Sequence, residues 1–346
     1  MISHLESVTI IQWQIFVKGE MIMLISVILF AVGLVLLIKG GDWFVDGATG
    51  IAKRFHLPDI VVGATVVSIG TTLPEVMVST TGALQGSGAM AYGNAIGSII
   101  CNTALIAAIS VVVNPGPVNV KSMKTPVSFF FGAALLYCIA AYVLGTFPRW
   151  MGFLMLTIFI IYTIMTVKNG LKNPDVNTEM EENDEKPKQL WQELLLLVVG
   201  AAVIAYGANL LVEHGQIIAL ELGVPETVIA LLFVALGTSL PELVTTITSL
   251  KKGRASLGIG NIIGANVFNL VLVSGVSIAL SPFAVPVENT FLDTGLNLSL
   301  VFDLPIMILV MSLLCFPTLL KKRLGRWQGV ALLGIYASFC ILQFIL

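Results

Sequence analysis

"GTTLPE", Gly70 to Glu75, and "GTSLPE", Gly237 to Glu242, differ at one position, lie 167 residues apart, and both sit inside apolar stretches. From Ile60 to Val120 the only Asp, Glu, Lys, Arg or His is Glu75. Burying a carboxylate in such a segment carries a large desolvation cost, so a glutamate kept there marks a site that uses its charge. The proline before each glutamate lacks an N–H and disturbs the preceding helical turn, so each motif reads as a deliberate break in a membrane-length helix.

The rest of the chain is of one kind. Hydrophobic residues make up 57% of its 346 residues and charged ones 11%, with a mean hydropathy of +0.96. These values define an all-α integral membrane protein. A net charge of -2 and a lack of basic patches interleaved with aromatics leave no footprint for nucleic acid. The four cysteines all lie in apolar runs and read as small hydrophobes. Residues 1–20 lack the basic start and cleavage site of a signal peptide and read as an N-terminal extension.

A helix needs about 20 apolar residues to cross the hydrocarbon core, and on that measure the sequence predicts ten spans. The motifs fall in the second, Leu57 to Leu84, and the seventh, Val224 to Leu250; the first begins at Met21 and the tenth, Gln328 to Leu346, ends the chain. Alternating the connections puts fifteen of the eighteen Lys and Arg residues on one side. By the positive-inside rule that side is cytoplasmic and both termini are extracellular. Residues 169–189, polar, acidic and proline-containing, read as a cytoplasmic linker between two five-helix halves, 21–168 and 190–346. The linker reads as a solvated tether, because it lacks the spacing and glycine of a calcium loop.

Laying Leu57–Asn102 on Val224–Asn269 without a gap also matches Gly93 with Gly260, Asn94 with Asn261, Gly97 with Gly264 and Asn102 with Asn269. An odd number of spans per half makes the second copy enter the membrane from the opposite side. The result is an inverted repeat, the architecture of secondary transporters that bind substrate near the midplane at broken helices.

Thr71 and Glu75 share a helical face, and Asn94, Ser98 and Asn102 form a stripe on the next span. Crossed with Thr238, Ser239, Glu242, Asn261 and Asn269 they supply hard oxygen donors of the kind Ca²⁺ prefers. Gly93, Gly97, Gly260 and Gly264 are placed to let the crossing helices approach closely. No basic residue in the flanking spans neutralises either glutamate, which leaves a mobile cation or a proton as the counter-charge.

"GATVVSIGTTLPE" with "GNAIGSIICN", and "ALLFVALGTSLPE" with "GNIIGANVFN", resemble the paired alpha repeats of the sodium/calcium exchanger family, in a form without a large regulatory loop domain. The resemblance implies a Na⁺/Ca²⁺ antiporter of the plasma membrane with no cofactor. Glu75 and Glu242 would be central ligands shared by the two ions. It further implies oxygens from Thr71 and Thr238, with Thr72, Ser239, Asn102 and Asn269 around them, and backbone carbonyls from Ser68 and Ala235. The family's two "GS" serines correspond to Ser98 and Ala265, and the alanine removes one hydroxyl from a flanking Na⁺ site.

Potassium-dependent relatives carry an acidic residue where Asn269 stands, and proton-coupled ones a glutamate shortly after "GN"; neither pattern is present, which favours plain sodium coupling. Energetics point to three Na⁺ per Ca²⁺, with one protomer sufficient for transport. An exchanger of Ca²⁺, or another divalent cation, for H⁺ is the alternative reading, and a cation channel a weaker one. No enzyme motif appears. Alternating access is expected to move the first and sixth spans, where "GGDWFVDGATG" and "GANLLVEHG" correspond. Asp42 and Asp46 there read as residues near the interface rather than ion ligands.

Overall fold

In a bilayer core every backbone N–H and C=O needs a partner within the protein, and helices provide it without an exposed edge. The computed structural model describes residues 2–172, 189–221, 237–286 and 296–345, and over these the chain is helical apart from four two-residue strands. In chain order the helices are α1 (Ile2–Arg54), α2 (Asp59–Thr71), α3 (Leu73–Leu84), α4 (Gly88–Val113), α5 (Val120–Leu144) and α6 (Arg149–Lys172). The second half contributes α7 (Leu190–Glu221), α8 (Leu240–Lys251), α9 (Ala255–Leu280), α10 (Ser299–Lys321) and α11 (Arg326–Ile345).

Seven of the described helices are long and apolar enough to cross a membrane, or eight with α2 and α3 taken as one span bent by 46°. The expected seventh span includes residues 224–236, and the expected linker includes 173–188; both segments lie outside the described residues. The strands are β1 (Gly116–Pro117), β2 (Thr146–Phe147), β3 (Phe283–Ala284) and β4 (Arg323–Leu324). β1 pairs antiparallel with β4 and β2 with β3. Each pair joins two loops that alternation of the spans assigns to the same side.

Burial sorts the helices into layers. Within their most apolar windows α9 is 83% buried and α4 72%, whereas α1 and α7 reach 17% and 22%. α4 and α9, the glycine- and asparagine-rich helices, therefore form the centre. α1 and α7 lie together on the outside, packed so closely that a Cβ at Gly33 or Gly207 would stand 2.9 Å from the carbonyl oxygen of the other glycine. Arg54 at the end of α1 makes a two-point ion pair with Glu193 of α7 (2.8 and 3.2 Å), so small-residue packing and a fork-shaped charge contact join the two helices along their length.

Candidate ion-binding site

The two motifs fold alike. α2 ends at Thr72 (φ -86°, ψ -3°) and α8 begins after Ser239 (φ -88°, ψ 4°), with Pro74 and Pro241 in the first turns of α3 and α8. Proline is tolerated in a first turn because its missing N–H has no helical partner there. Each break sets a glutamate in the first turn of the next helix, Glu75 in α3 and Glu242 in α8, where the positive end of the helix dipole favours a carboxylate.

Cross-bonds between the halves hold the breaks in place. The Thr71 hydroxyl donates to Asn261 Oδ1 (3.1 Å) and the Thr238 hydroxyl to Asn94 Oδ1 (3.3 Å). Asn94 Nδ2 donates in turn to the carbonyl of Glu75 (3.2 Å) and to Ser79 Oγ (2.8 Å). Ser68 Oγ lies within bonding distance of the carbonyls of Gly63 (2.8 Å) and Asn261 (2.9 Å). The backbones can come this close because α9 carries glycine at the crossing. A Cβ on Gly260 would strike the carbonyl of Ile60, and one on Gly264 would strike Ser68 Oγ and lie 2.5 Å from Ala64 Cα.

Inside this frame lies a group of polar atoms with no protein partner. Glu75 and Glu242 are wholly buried, and none of their four carboxylate oxygens has a hydrogen-bond partner of normal geometry, the Thr71 hydroxyl beside Glu242 being directed to Asn261 Oδ1. The hydroxyls of Thr72, Ser98 and Ser239 and both amide atoms of Asn102 and Asn269 are likewise buried and unpartnered. The four ion pairs of the described residues involve neither glutamate. A buried carboxylate without hydrogen bonds or counter-charge is among the costliest arrangements in a protein, and a cation among hard oxygens removes that cost. Two carboxylates with uncharged hydroxyl and amide oxygens are the hard donor set that Ca²⁺ and Na⁺ take.

The structure therefore places Glu75, Glu242, Thr71, Ser98, Asn102 and Asn269 on the contacting elements α2, α3, α4, α8 and α9, and Thr72, Thr238 and Ser239 at the two breaks. The Ser68 carbonyl, which accepts from the Thr72 N–H (3.0 Å), retains a second lone pair. Ala235 lies outside the described residues. Ala265 is fully buried and brings no polar side-chain atom to its position. Asn94 and Asn261 differ from expectation. Their Oδ1 atoms accept from Thr238 and Thr71, so these amides brace the motif threonines rather than standing free. Among the described residues no close approach is found at Gly93 or Gly97.

The helical pattern missed one feature. α4 and α9 each widen into a π-helical stretch that starts at the asparagine, Asn102–Ala107 in one and Asn269–Val273 in the other. Such bulges recur at functional sites. The only sign of it in the sequence is that both stretches begin at residues matched in the repeat.

The sequence profile of the sodium/calcium exchanger protein family matches residues 25–168 and 193–345. The chain belongs to that family. Among relatives of this sodium/calcium exchanger family chain, an uncharacterized membrane protein of Methanocaldococcus jannaschii is 35% identical over 313 residues, covering 89% of this chain and 94% of that protein. Sodium/calcium exchanger MaX1 of Methanosarcina acetivorans is 30% identical over 355 residues, with 92% and 99% covered. A solved structure of the sodium-calcium exchanger NCX_Mj, soaked with Na⁺ and Sr²⁺, matches with a TM-score of 0.76 at 30% identity over 91% of this chain and 98% of that one. The profile omits residues 169–192, so the two motif-bearing halves of this exchanger-family chain are matched as separate blocks. The family is one of multi-pass membrane transporters and not of enzymes.

Proposed function

We propose that the protein is a K⁺-independent antiporter that exchanges three Na⁺ for one Ca²⁺ across the plasma membrane, using one cage that holds either ion in turn. The observation that carries this reading is the pair of wholly buried, unpartnered carboxylates, Glu75 and Glu242, in a shell of uncharged oxygens. Two ionised carboxylates carry a charge of about -2, which one Ca²⁺ neutralises or several Na⁺ replace. Family membership and the likeness to NCX_Mj support cation/Ca²⁺ antiport. Glu75 and Glu242 act as shared ligands, with Thr71, Thr72, Ser98 and Asn102 on one side and Thr238, Ser239 and Asn269 on the other. The carbonyls of Ser68 and Ala235 complete the set.

The stoichiometry follows from energetics. Against about a ten-thousandfold Ca²⁺ gradient and about 100 mV, extruding one Ca²⁺ costs about 5.5 kcal/mol chemically and about 4.6 electrically. Each Na⁺ entering down about a tenfold gradient releases about 3.7 kcal/mol, so two supply about 7.4 and three about 11. Only three exceed the load of about 10.

The architecture we assign is ten transmembrane helices in two inverted five-helix repeats, 21–168 and 190–346, joined by a cytoplasmic linker, with both termini outside. Three features recurring at the same 167-residue offset support the repeat: the breaks at Thr72 and Ser239, the threonine-to-asparagine braces, and the π-helical starts at Asn102 and Asn269. Alternating access moves α1 and α7 as one body across the cage. Lys252, just after α8, bonded to Asp46 Oδ1 (2.7 Å) and to the carbonyl of Asp42 (3.0 Å), makes one of the contacts that must yield. Purified protein in Na⁺-loaded proteoliposomes should accumulate Ca²⁺ when diluted into Na⁺-free medium. Accumulation driven equally well by a proton gradient without Na⁺ would contradict the assignment.

A further inference from the structure

The face of α8 that begins with Glu242 continues through Thr245, Thr246 and Ser249. This is the i, i+3, i+4, i+7 spacing of one helical face, running about 10 Å along the axis. All three side chains are at most 1% exposed, and all three hydroxyl oxygens lack a hydrogen-bond partner. Many helical hydroxyls elsewhere turn back to the carbonyl four residues earlier, as Thr65 does to Val61 (2.7 Å), Thr103 to Ile99 (2.7 Å), Ser277 to Val273 (2.9 Å) and Thr318 to Leu314 (2.6 Å), and the exceptions on α3, α4, α5 and α6, Thr80, Ser98, Ser122 and Thr166, do not form a run along one face. That local bond is the usual way for a buried Ser or Thr to be satisfied in a helix. On α8 three successive hydroxyls leave it unmade.

The matching face of α3 is different. Val78, Ser79 and Gly82 stand at the equivalent positions. There Ser79 is occupied by Asn94 Nδ2 (2.8 Å), and Met90 fills the space beside Gly82, its Sδ 2.7 Å from where a Cβ would be. The run of free hydroxyls along one helical face thus belongs to α8 and not to α3, and it leads from Glu242 toward the end of α8 that bears Lys251.

We propose that Thr245, Thr246 and Ser249 form a hydroxyl ladder along which Ca²⁺ and Na⁺ exchange hydration water for protein oxygens as they pass between the cage and that side of the membrane. The proposal rests on the exchanger reading above. A cation leaving water for a buried carboxylate needs oxygen ligands at each step, and neutral hydroxyls supply them without trapping the ion as a further carboxylate would. In this conformation the ladder is closed by α9. Thr246 Cα lies 3.3 Å and Ser249 Cβ 3.5 Å from the position a Cβ on Gly258 would take, so passage requires α8 and α9 to part at that glycine.

The test is the triple variant Thr245→Val/Thr246→Val/Ser249→Ala, which removes the hydroxyls at nearly constant volume. Na⁺-driven Ca²⁺ flux in proteoliposomes should fall about tenfold, the scale of one lost hydrogen bond to the passing ion. Calorimetric Ca²⁺ affinity of the solubilised protein should stay within about twofold of wild type, because the cage is untouched. Thr163→Val, which removes a back-bonded hydroxyl from α6, should leave both values unchanged. Unaltered flux in the triple variant, or loss of Ca²⁺ binding along with flux, overturns the ladder. If wild-type protein binds Ca²⁺ but shows no Na⁺-driven flux, the exchanger reading itself fails. Should the triple variant not fold, Thr245→Val and Thr246→Val separately should each slow flux about threefold at unchanged affinity, and unchanged flux in both overturns the proposal.

Discussion

Thr71 gives its hydroxyl proton to Asn261 Oδ1 across 3.1 Å, and Thr238, 167 residues further on, gives its own to Asn94 Oδ1 across 3.3 Å. Each bond runs from the motif of one half to the central helix of the other. The braces consume the amide oxygens of Asn94 and Asn261 and leave Asn102 and Asn269, two turns further along, without partners. Four similar amides therefore divide into two whose oxygens fix the frame and two that no protein group engages.

Glu75→Gln and Glu242→Gln should each abolish Na⁺-driven Ca²⁺ uptake while leaving the protein folded, because each removes half the charge of one shared cage. The double variant should be no worse in flux than either single one. Near-normal uptake in a folded single variant, measured with radioactive Ca²⁺ in proteoliposomes, would place the central site elsewhere.

At position 265 a hydroxyl is missing opposite Ser98. Ala265→Ser should raise apparent Na⁺ affinity and change Ca²⁺ affinity much less, since the carboxylates dominate binding of a divalent ion. Na⁺ and Ca²⁺ titrations of flux separate the two; equal shifts, or none for Na⁺, count against a Na⁺-specific role for this position.

The crossing of α2 and α9 depends on Gly264, whose replacement by alanine would set a methyl group 2.5 Å from Ala64 Cα, which is backbone and cannot rotate away. Gly264→Ala should cost about 1–3 kcal/mol through forced backbone shifts and lower the melting temperature in detergent. Gly334→Ala, in α11 where a Cβ meets nothing within 4 Å, should leave it unchanged or raise it slightly, as alanine is the better helix former. Equal melting temperatures for the two variants would mean that this crossing is not tightly packed in solution.

Much of this site was legible because its chemistry is local and doubled. A proline followed by glutamate in a charge-free stretch announces a broken helix and a buried charge, and the second copy makes coincidence untenable. Spacing suggested a set of oxygen donors and the family resemblance added Thr72, Ser68 and Ala235, but neither gave their division of labour. Whether an asparagine braces or stands free depends on which helix crosses it, and Asn94 meets Thr238 only through the packing of distant segments. The π-helical widening at Asn102 and Asn269 escaped for a related reason. Hydrophobic periodicity registers which face is apolar, not one extra residue in a turn. The open hydroxyls of α8 were equally hidden, since sequence does not say whether a threonine turns back to its own helix.

Transport should not require K⁺. Asn102 and Asn269 are neutral, so the cage carries only the charges of Glu75 and Glu242, and no further cation is demanded. Ca²⁺ uptake into Na⁺-loaded vesicles should proceed at similar rates with K⁺ or an inert organic cation outside. Asn269→Asp adds a third buried charge that must be compensated by a proton or a monovalent ion, and flux should then become sensitive to pH or K⁺. An absolute K⁺ requirement in wild type would refute the assignment.

The central claim is that one cage holds Ca²⁺ or Na⁺ but not both loads together, and equilibrium competition reads it most directly. Calorimetric Ca²⁺ titrations of the purified protein at increasing Na⁺, with ionic strength held constant by an organic cation, should show the apparent Ca²⁺ affinity falling steeply, with more than a first-power dependence on Na⁺ because several Na⁺ must leave for one Ca²⁺ to bind. A Ca²⁺ affinity indifferent to Na⁺ would contradict the account.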